Sequence, residues 1–128
     1  MIVLDASVLI AYLDGADAHH RAAEELLVEA ADDALGASTL TLAEVLVGPA
    51  RASRLDEARR VLEQLEVEAL SLVEGSAERL ARLRVETGCR LPDCCVLLAA
   101  QDVAGAIATF DEQLRAAARH LGRPVQGG

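Results

Sequence analysis

What most restricts this chain is an alternation of short apolar runs with stretches of helical period, with an acid closing the clearest runs. Met1-Ile2-Val3-Leu4 leads into Asp5, and Ala106-Ile107-Ala108-Thr109-Phe110 leads into Asp111. Runs this short and apolar predict buried strands, placed at residues 2–5 and 105–109. Ala6 to Leu13 predicts a short apolar helix ended near Asp14-Gly15. A second helix is expected from about Asp17 to Asp32, with Ala22, Leu26, Leu27 and Ala30 on one face. Gly36-Ala37-Ser38 reads as strand, and residues 40–47 as a helix stopped by Gly48-Pro49. Arg54 to Leu65 puts Leu55, Ala58, Val61, Leu62 and Leu65 at helical spacing, and Val67 to Val73 alternates as a strand. Ser76 suits the cap of a helix ending near Gly88, and Pro92 suits the first turn of one reaching about Val103. Asp111 to Leu121 is the last helix, and the tail Gln126-Gly127-Gly128 is expected to fray. Alternation through 128 residues without a second composition zone predicts one domain, 1–128. Its fold class is α/β, three layers, with a mostly parallel central sheet flanked by helices.

In an open parallel sheet, strand ends and the helix starts beside them form the edge where ligands bind. Asp5 and Asp111 sit at strand ends, Asp93 opens a helix after Pro92, and Glu44 follows Leu40-Thr41-Leu42 on another. Four carboxylates gathered there would repel one another. Two unit charges about 4 Å apart interact by ~1 kcal/mol in water and ~4 kcal/mol at an intermediate dielectric. A divalent cation relieves such a cluster, and hard cations prefer oxygen ligands. Local explanations compete. Asp5 and Asp111 suit helix N-caps, Asp93 a helix dipole, and Glu44 a solvated face. Taken together those explanations weaken, because caps need not converge on one edge. Ser7 and Thr109 are hydroxyls beside two of the acids, where a local backbone partner is the ordinary role. Glu24, Glu25, Glu29, Asp32, Asp33, Asp56, Glu57, Glu63, Glu66 and Asp102 read as solvated helix faces.

Composition narrows the chemistry. Acids outnumber bases 21 to 12, net −9, which argues against a nucleic-acid binder held on by counterion release. It leaves room for an RNA enzyme whose bound metals supply positive charge locally. All twelve bases are arginine, so a lysine-dependent phosphorelay receiver or P-loop nucleotidase is excluded. A haloacid-dehalogenase-type phosphatase would show D-x-D where Asp5-Ala6-Ser7 stands, and no G-x-S-x-G appears for acyl transfer. Cys89, Cys94 and Cys95 form no C-x-x-C pair and read as small core residues rather than a zinc site or a disulfide framework. His19 and His20 lack the i, i+4 spacing of a ligand pair, and His120 suits a helix C-terminus. No signal peptide or membrane span is visible, so a cytoplasmic protein without membrane contact is expected. What survives is a metal-dependent acidic site suited to phosphodiester hydrolysis by metal-activated water.

Four segments resemble the PIN-domain family. They are Val3-Leu4-Asp5-Ala6-Ser7-Val8-Leu9-Ile10, Leu42-Ala43-Glu44-Val45-Leu46-Val47-Gly48, Leu91-Pro92-Asp93 leading into Val96-Leu97-Leu98-Ala99-Ala100, and Ala108-Thr109-Phe110-Asp111. No block is specific alone; their order and spacing over nearly the whole chain are. Small stand-alone members of this kind are mostly VapC-like toxins of type II toxin–antitoxin pairs. The resemblance implies a Mg²⁺- or Mn²⁺-dependent endoribonuclease that cuts cellular RNA and stops translation. It further implies a homodimer, neutralised by a small DNA-binding VapB-like antitoxin whose tail covers the active site. Carried over, Asp5 and Asp93 match the principal metal ligands, and Glu44 and Asp111 the remaining acids, binding a second ion or orienting water. Ser7 and Thr109 match the supporting polar positions. Cys94-Cys95 after Asp93 departs mildly from the small residues common there.

Acids cannot grip RNA directly, so arginines must help. Arg51, Arg54, Arg59 and Arg60 follow the Glu44 helix, and Arg82, Arg84 and Arg90 precede Asp93. Surface solubility with i, i+4 pairing is their ordinary role. Two other functions compete: a catalytically silent PIN-fold module binding RNA or antitoxin, and a nuclease for structured DNA. The intact acid quartet weighs against the first, and the lack of extra acids and long insertions against the second.

Overall fold

The computed structural model describes residues 1–127. In order they form β1 (Ile2–Leu4), α1 (Ala6–Leu13), α2 (His20–Glu29), β2 (Leu35–Ser38), α3 (Thr39–Arg51), α4 (Leu55–Gln64), β3 (Val67–Leu70), α5 (Ser76–Thr87), α6 (Leu91–Val103), β4 (Ala106–Ala108), α7 (Glu112–His120) and β5 (Val125–Gln126). The strands make one sheet ordered β3-β2-β1-β4-β5, and every pairing is parallel. β1 is therefore central, and its neighbour β4 pairs Leu4 with Ala108. Both strands end together, so Asp5 and Thr109 emerge side by side. The Asp5 amide donates to the Ala108 carbonyl at 2.9 Å, extending the ladder to the edge itself.

Side chains alternate across a strand. Ile2 and Leu4 point into a core with Val8, Leu9, Leu26, Leu27, Val45 and Leu62 of α1–α4. Val3 and Ile107 point the other way, against Leu83, Val96, Leu97, Leu98 and Leu114 of α5–α7. Two cores on opposite faces of one sheet make the three layers. Leu4, Leu9, Leu97, Leu98, Ile107 and Leu114 are completely buried, at roughly 2 kcal/mol each. That packing clamps the β1–β4 edge from both sides. The cysteines join it: Cys89, Cys94 and Cys95 are buried and free, and burial pushes the Cys94 and Cys95 thiols up, away from reactive thiolate.

The structure departs from the sequence expectations at several places. α3 runs through Gly48-Pro49 to Arg51. Proline's fixed φ is helical, and so near the end it sacrifices only the bond to the Val45 carbonyl. α2 is shorter than expected; Leu26, Leu27 and Ala30 are buried as expected, but Ala23 takes the place expected for Ala22, which is exposed. The cap of α5 is Gly75 at φ 83°, while the Ser76 hydroxyl turns back to donate to the Val73 carbonyl. Gly88 does end α5, at φ 72°, a conformation glycine adopts without steric cost. β3 stops at Leu70. Of the apolar α4 face, Leu62 is buried, Val61 and Leu65 are half-buried, and only Leu55 is well exposed. Gln126 does not fray but lies in β5, paired with Ala108; Gly128 lies outside the described residues.

Candidate functional site

The end of β1 leaves Asp5 buried, 6 % exposed, beneath the sheet edge. Although it occupies the N-cap position of α1, its carboxylate makes no capping bond. One oxygen, Oδ2, instead accepts from the Ser7 hydroxyl at 2.7 Å and the Thr109 hydroxyl at 2.8 Å. Both hydroxyls are themselves aimed by the backbone. Ser7 Oγ accepts from the Phe110 amide and Thr109 Oγ1 from the Asp111 amide, each at 3.0 Å. With their acceptor sides taken, the two hydroxyls must point their protons at Asp5. Among the described residues no donor reaches Oδ1, nor is that atom sealed in the interior.

Three further acids share its electrostatic neighbourhood. Asp93 enters from the first turn of α6, where Pro92 occupies a place that needs no amide donor. Its carboxyl is pushed up to about 6, first by desolvation, then by the charges of Asp5 and Asp111, with Glu44 adding to them and Arg90 opposing. Glu44 projects from α3 and is also raised, by desolvation and then by Asp5, again against Arg90. Asp111 is different. It is exposed and caps α7 through Oδ1, which accepts from the Leu114 amide at 2.8 Å. The fold thus brings Asp5, Ser7 and Thr109 into direct contact, and Glu44, Asp93 and Asp111 within electrostatic reach.

A divalent cation can be tested against this donor set. Every group is an oxygen donor, and the mutual charge that lifts Asp93 is what a hard cation would relieve. Against that, among the described residues no three acid, histidine or cysteine side chains converge closely enough to hold an ion as they stand. The chemistry of the set fits, while the side chains as placed do not close around an ion.

The remaining candidates sort themselves. Arg90, the N-cap residue of α6, is the cation whose charge acts on the acids. Sequence spacing grouped it with six other arginines and could not single it out. Arg59 pairs with Asp56 and Glu63, and Arg82 with Glu78, as surface helix pairs do. Arg84 donates to the Cys89 carbonyl at 2.8 Å, bracing the loop before Asp93. Asp102 pairs with Arg79 at 2.8 Å. His19 stacks on Phe110 with centroids 4.9 Å apart, His20 bonds the Ala11 carbonyl, and His120 lies 3.5 Å from Glu86. No sequence signal pointed to Arg115, buried behind Thr109.

Comparison with known proteins agrees with the fold. The PIN domain family profile matches residues 2–120. The chain belongs to the PIN domain family. Among solved structures, this PIN domain is similar to a toxin–antitoxin complex from Klebsiella pneumoniae, at 26 % identity over 87 % of each chain and a TM-score of 0.73. It also resembles Mycobacterium tuberculosis VapC20, described as a sarcin–ricin-loop-cleaving toxin, at 18 % identity over 91 % of this chain and 95 % of that one, with a TM-score of 0.76. Rickettsia felis VapBC2, solved on a fragment of its promoter DNA, follows at 15 % identity over 98 % of both chains and a TM-score of 0.74. No curated protein matches the sequence. None of the helices is long and apolar enough to cross a membrane, among the described residues.

Proposed function

We propose that this PIN domain is a VapC-like endoribonuclease toxin that depends on Mg²⁺ or Mn²⁺ and cleaves cellular RNA in the cytoplasm to stop translation. The observation that carries the proposal is Asp5. It is a buried carboxylate that does no capping, with one oxygen saturated by two aimed hydroxyls, the other without a donor among the described residues, and its charge acting on Glu44 and Asp93. The neighbours' descriptions as toxins, one of them RNA-cleaving, support the same reading.

In this account Asp5 and Asp93 hold the cation, and Glu44 and Asp111 complete the set. A bound cation of this kind polarises a phosphoryl oxygen and lowers the pKa of water. The chain's own contribution is orientation. Ser7 and Thr109 fix the rotamer of Asp5, so its free oxygen is presented without a search. Arg90 offsets the acid charge and is the side chain suited to a phosphate of the RNA strand. Asp93, pushed up to about 6 by desolvation and neighbouring charge, must lose its proton to act as a ligand, so proton and cation compete there and Mn²⁺ affinity should weaken as pH drops through 6.

Partners follow from the same reading. A groove of about 420 Å³ is lined by the apolar side chains of Ile10, Leu13, Val45 and Pro49 together with two acids, Asp14 and Glu44. It suits the tail of a small DNA-binding VapB-like antitoxin carrying apolar residues and a base. A homodimer is the assembly proposed; light scattering that finds only monomer at high concentration would count against it. The competing reading is an inert PIN fold that binds RNA or antitoxin. The spread of the carboxylates favours it. Calorimetry with Mn²⁺ separates the two: binding by wild type and its loss in Asp93→Asn is the result expected, and no binding by wild type would favour the inert module.

A further inference from the structure

Arg115 is the feature that neither the acid site nor the family match uses. It is 6 % exposed, yet among the described residues its one carboxylate partner, Glu112, is at the surface, and its Nε is buried with no hydrogen-bond partner. Burying a guanidinium with an orphaned donor is costly, so its place needs an explanation. The contacts supply one. Nη2 donates to the Thr109 carbonyl at 3.1 Å and to the Gly127 carbonyl at 2.8 Å, and Nη1 reaches Glu112. Thr109 is the residue whose hydroxyl holds Asp5 and receives the Asp111 amide. Gly127, at φ 88°, lies close by the same carbonyl beyond β5. A Cβ there would stand 2.9 Å from Thr109 O and 3.0 Å from Leu26 Cδ1.

We infer that Arg115 is a positioning residue for the acidic site. By tying the Thr109 carbonyl to the Gly127 carbonyl, it makes the C-terminal segment part of the scaffold that aims Thr109 at Asp5. Two perturbations converge on that one carbonyl. Arg115→Lys keeps the charge, but a single ammonium cannot reproduce the planar fork. Gly127→Ala crowds the carbonyl directly in a backbone conformation that disfavours alanine.

The inference rests on the proposed function for what the site does, and its test is chosen to separate the two. Amide hydrogen exchange by NMR reads the Phe110 and Asp111 amides, which donate to Ser7 Oγ and Thr109 Oγ1. Both variants should accelerate exchange at these two amides by about tenfold and leave the α6 core amides of Val96 and Leu97 unchanged. Mn²⁺ affinity by calorimetry should weaken by about tenfold in parallel. Unchanged exchange at Phe110 and Asp111 in both variants would overturn the inference. So would equal acceleration across the α6 core, which marks a merely structural residue, or looser amides with wild-type Mn²⁺ affinity. A wild type that binds no Mn²⁺ would defeat the proposed function instead, and the exchange data would still decide whether Arg115 holds Thr109.

Discussion

Strands β1 and β4 lie side by side in register, and each delivers an aspartate to the start of a helix. Asp111 takes the local role. It is exposed, and its carboxylate caps α7 through the Leu114 amide. Such a cap stabilises by about 1 kcal/mol. Asp5 forgoes that gain and is buried as well, with one hydroxyl from the first turn of α1 and one from the end of β4 supplied to one of its oxygens. Charge-assisted bonds of this kind contribute about 1.5–3 kcal/mol each, enough to keep a buried carboxylate tolerable. An acid at a strand end is thus no sign of function by itself. One that leaves the cap unmade, and is supported by residues more than a hundred positions away, is held for something other than the helix.

Substitutions can break or sharpen that contrast. The largest effect is expected for Asp5→Asn, which should lower RNA cleavage on the order of a thousandfold while the purified variant stays folded by circular dichroism. Wild-type rates in this variant would remove Asp5 from the site. Next come its supports. Ser7→Ala or Thr109→Val should each cost about tenfold in cleavage rate, because the Asp5 rotamer is no longer fixed. If kinetics of either variant match wild type, the hydroxyls are structural only. For Asp111 the two roles can be separated. Asn and Asp cap equally well, so Asp111→Asn should weaken cleavage at constant stability. Asp111→Ala should also lose about 1 kcal/mol, roughly 3–5 °C in Tm. The same pair of substitutions at Asp5 should show no capping difference.

The smallest effect is a pH signature at Asp93. Its folded pKa, about 6, lies above the ordinary 3.8, so the folded state binds this proton more tightly than the unfolded state. The stability contribution is full below pH 3.8 and is lost as pH rises to about 6. Asp93→Asn should therefore melt about 3–5 °C above wild type at pH 7.5 and show no advantage near pH 3.5. That is on the order of 1 kcal/mol, after discounting for solvent screening of a half-exposed group. Thermal scans at the two pH values check it; an equal gap at both would mean the stabilisation is not electrostatic.

Much of this was legible in the chain. α1 spans the residues its apolar run predicts, and β1 ends at Leu4 beside Asp5, because local periodicity and tertiary demand coincide there; β4 stops at Ala108, three residues before Asp111. Asp5, Glu44, Asp93 and Asp111 could be nominated from their places at element ends. What could not be read was how each is engaged, since capping and network bonds differ only in a side-chain rotation. β5 escaped notice because two residues carry no period, and it exists only through pairing with β4. In α2 only Ala22 was misplaced, because Ala22 and Ala23 are chemically alike and only packing tells them apart. Arg115 was hidden for the same reason: its burial comes from the meeting of α7, β4 and the C-terminal segment, which no local window contains.

The most direct measurement is a transcriptome-wide map of new RNA 5′ ends in cells lacking any antitoxin, after separate induction of wild type and Asp5→Asn. The account predicts new ends at a few defined sites with wild type alone. New ends at the same sites in both would place the chemistry outside this carboxylate and contradict it. No new ends in either, with the protein folded and abundant, would contradict the assignment as a ribonuclease of cellular RNA.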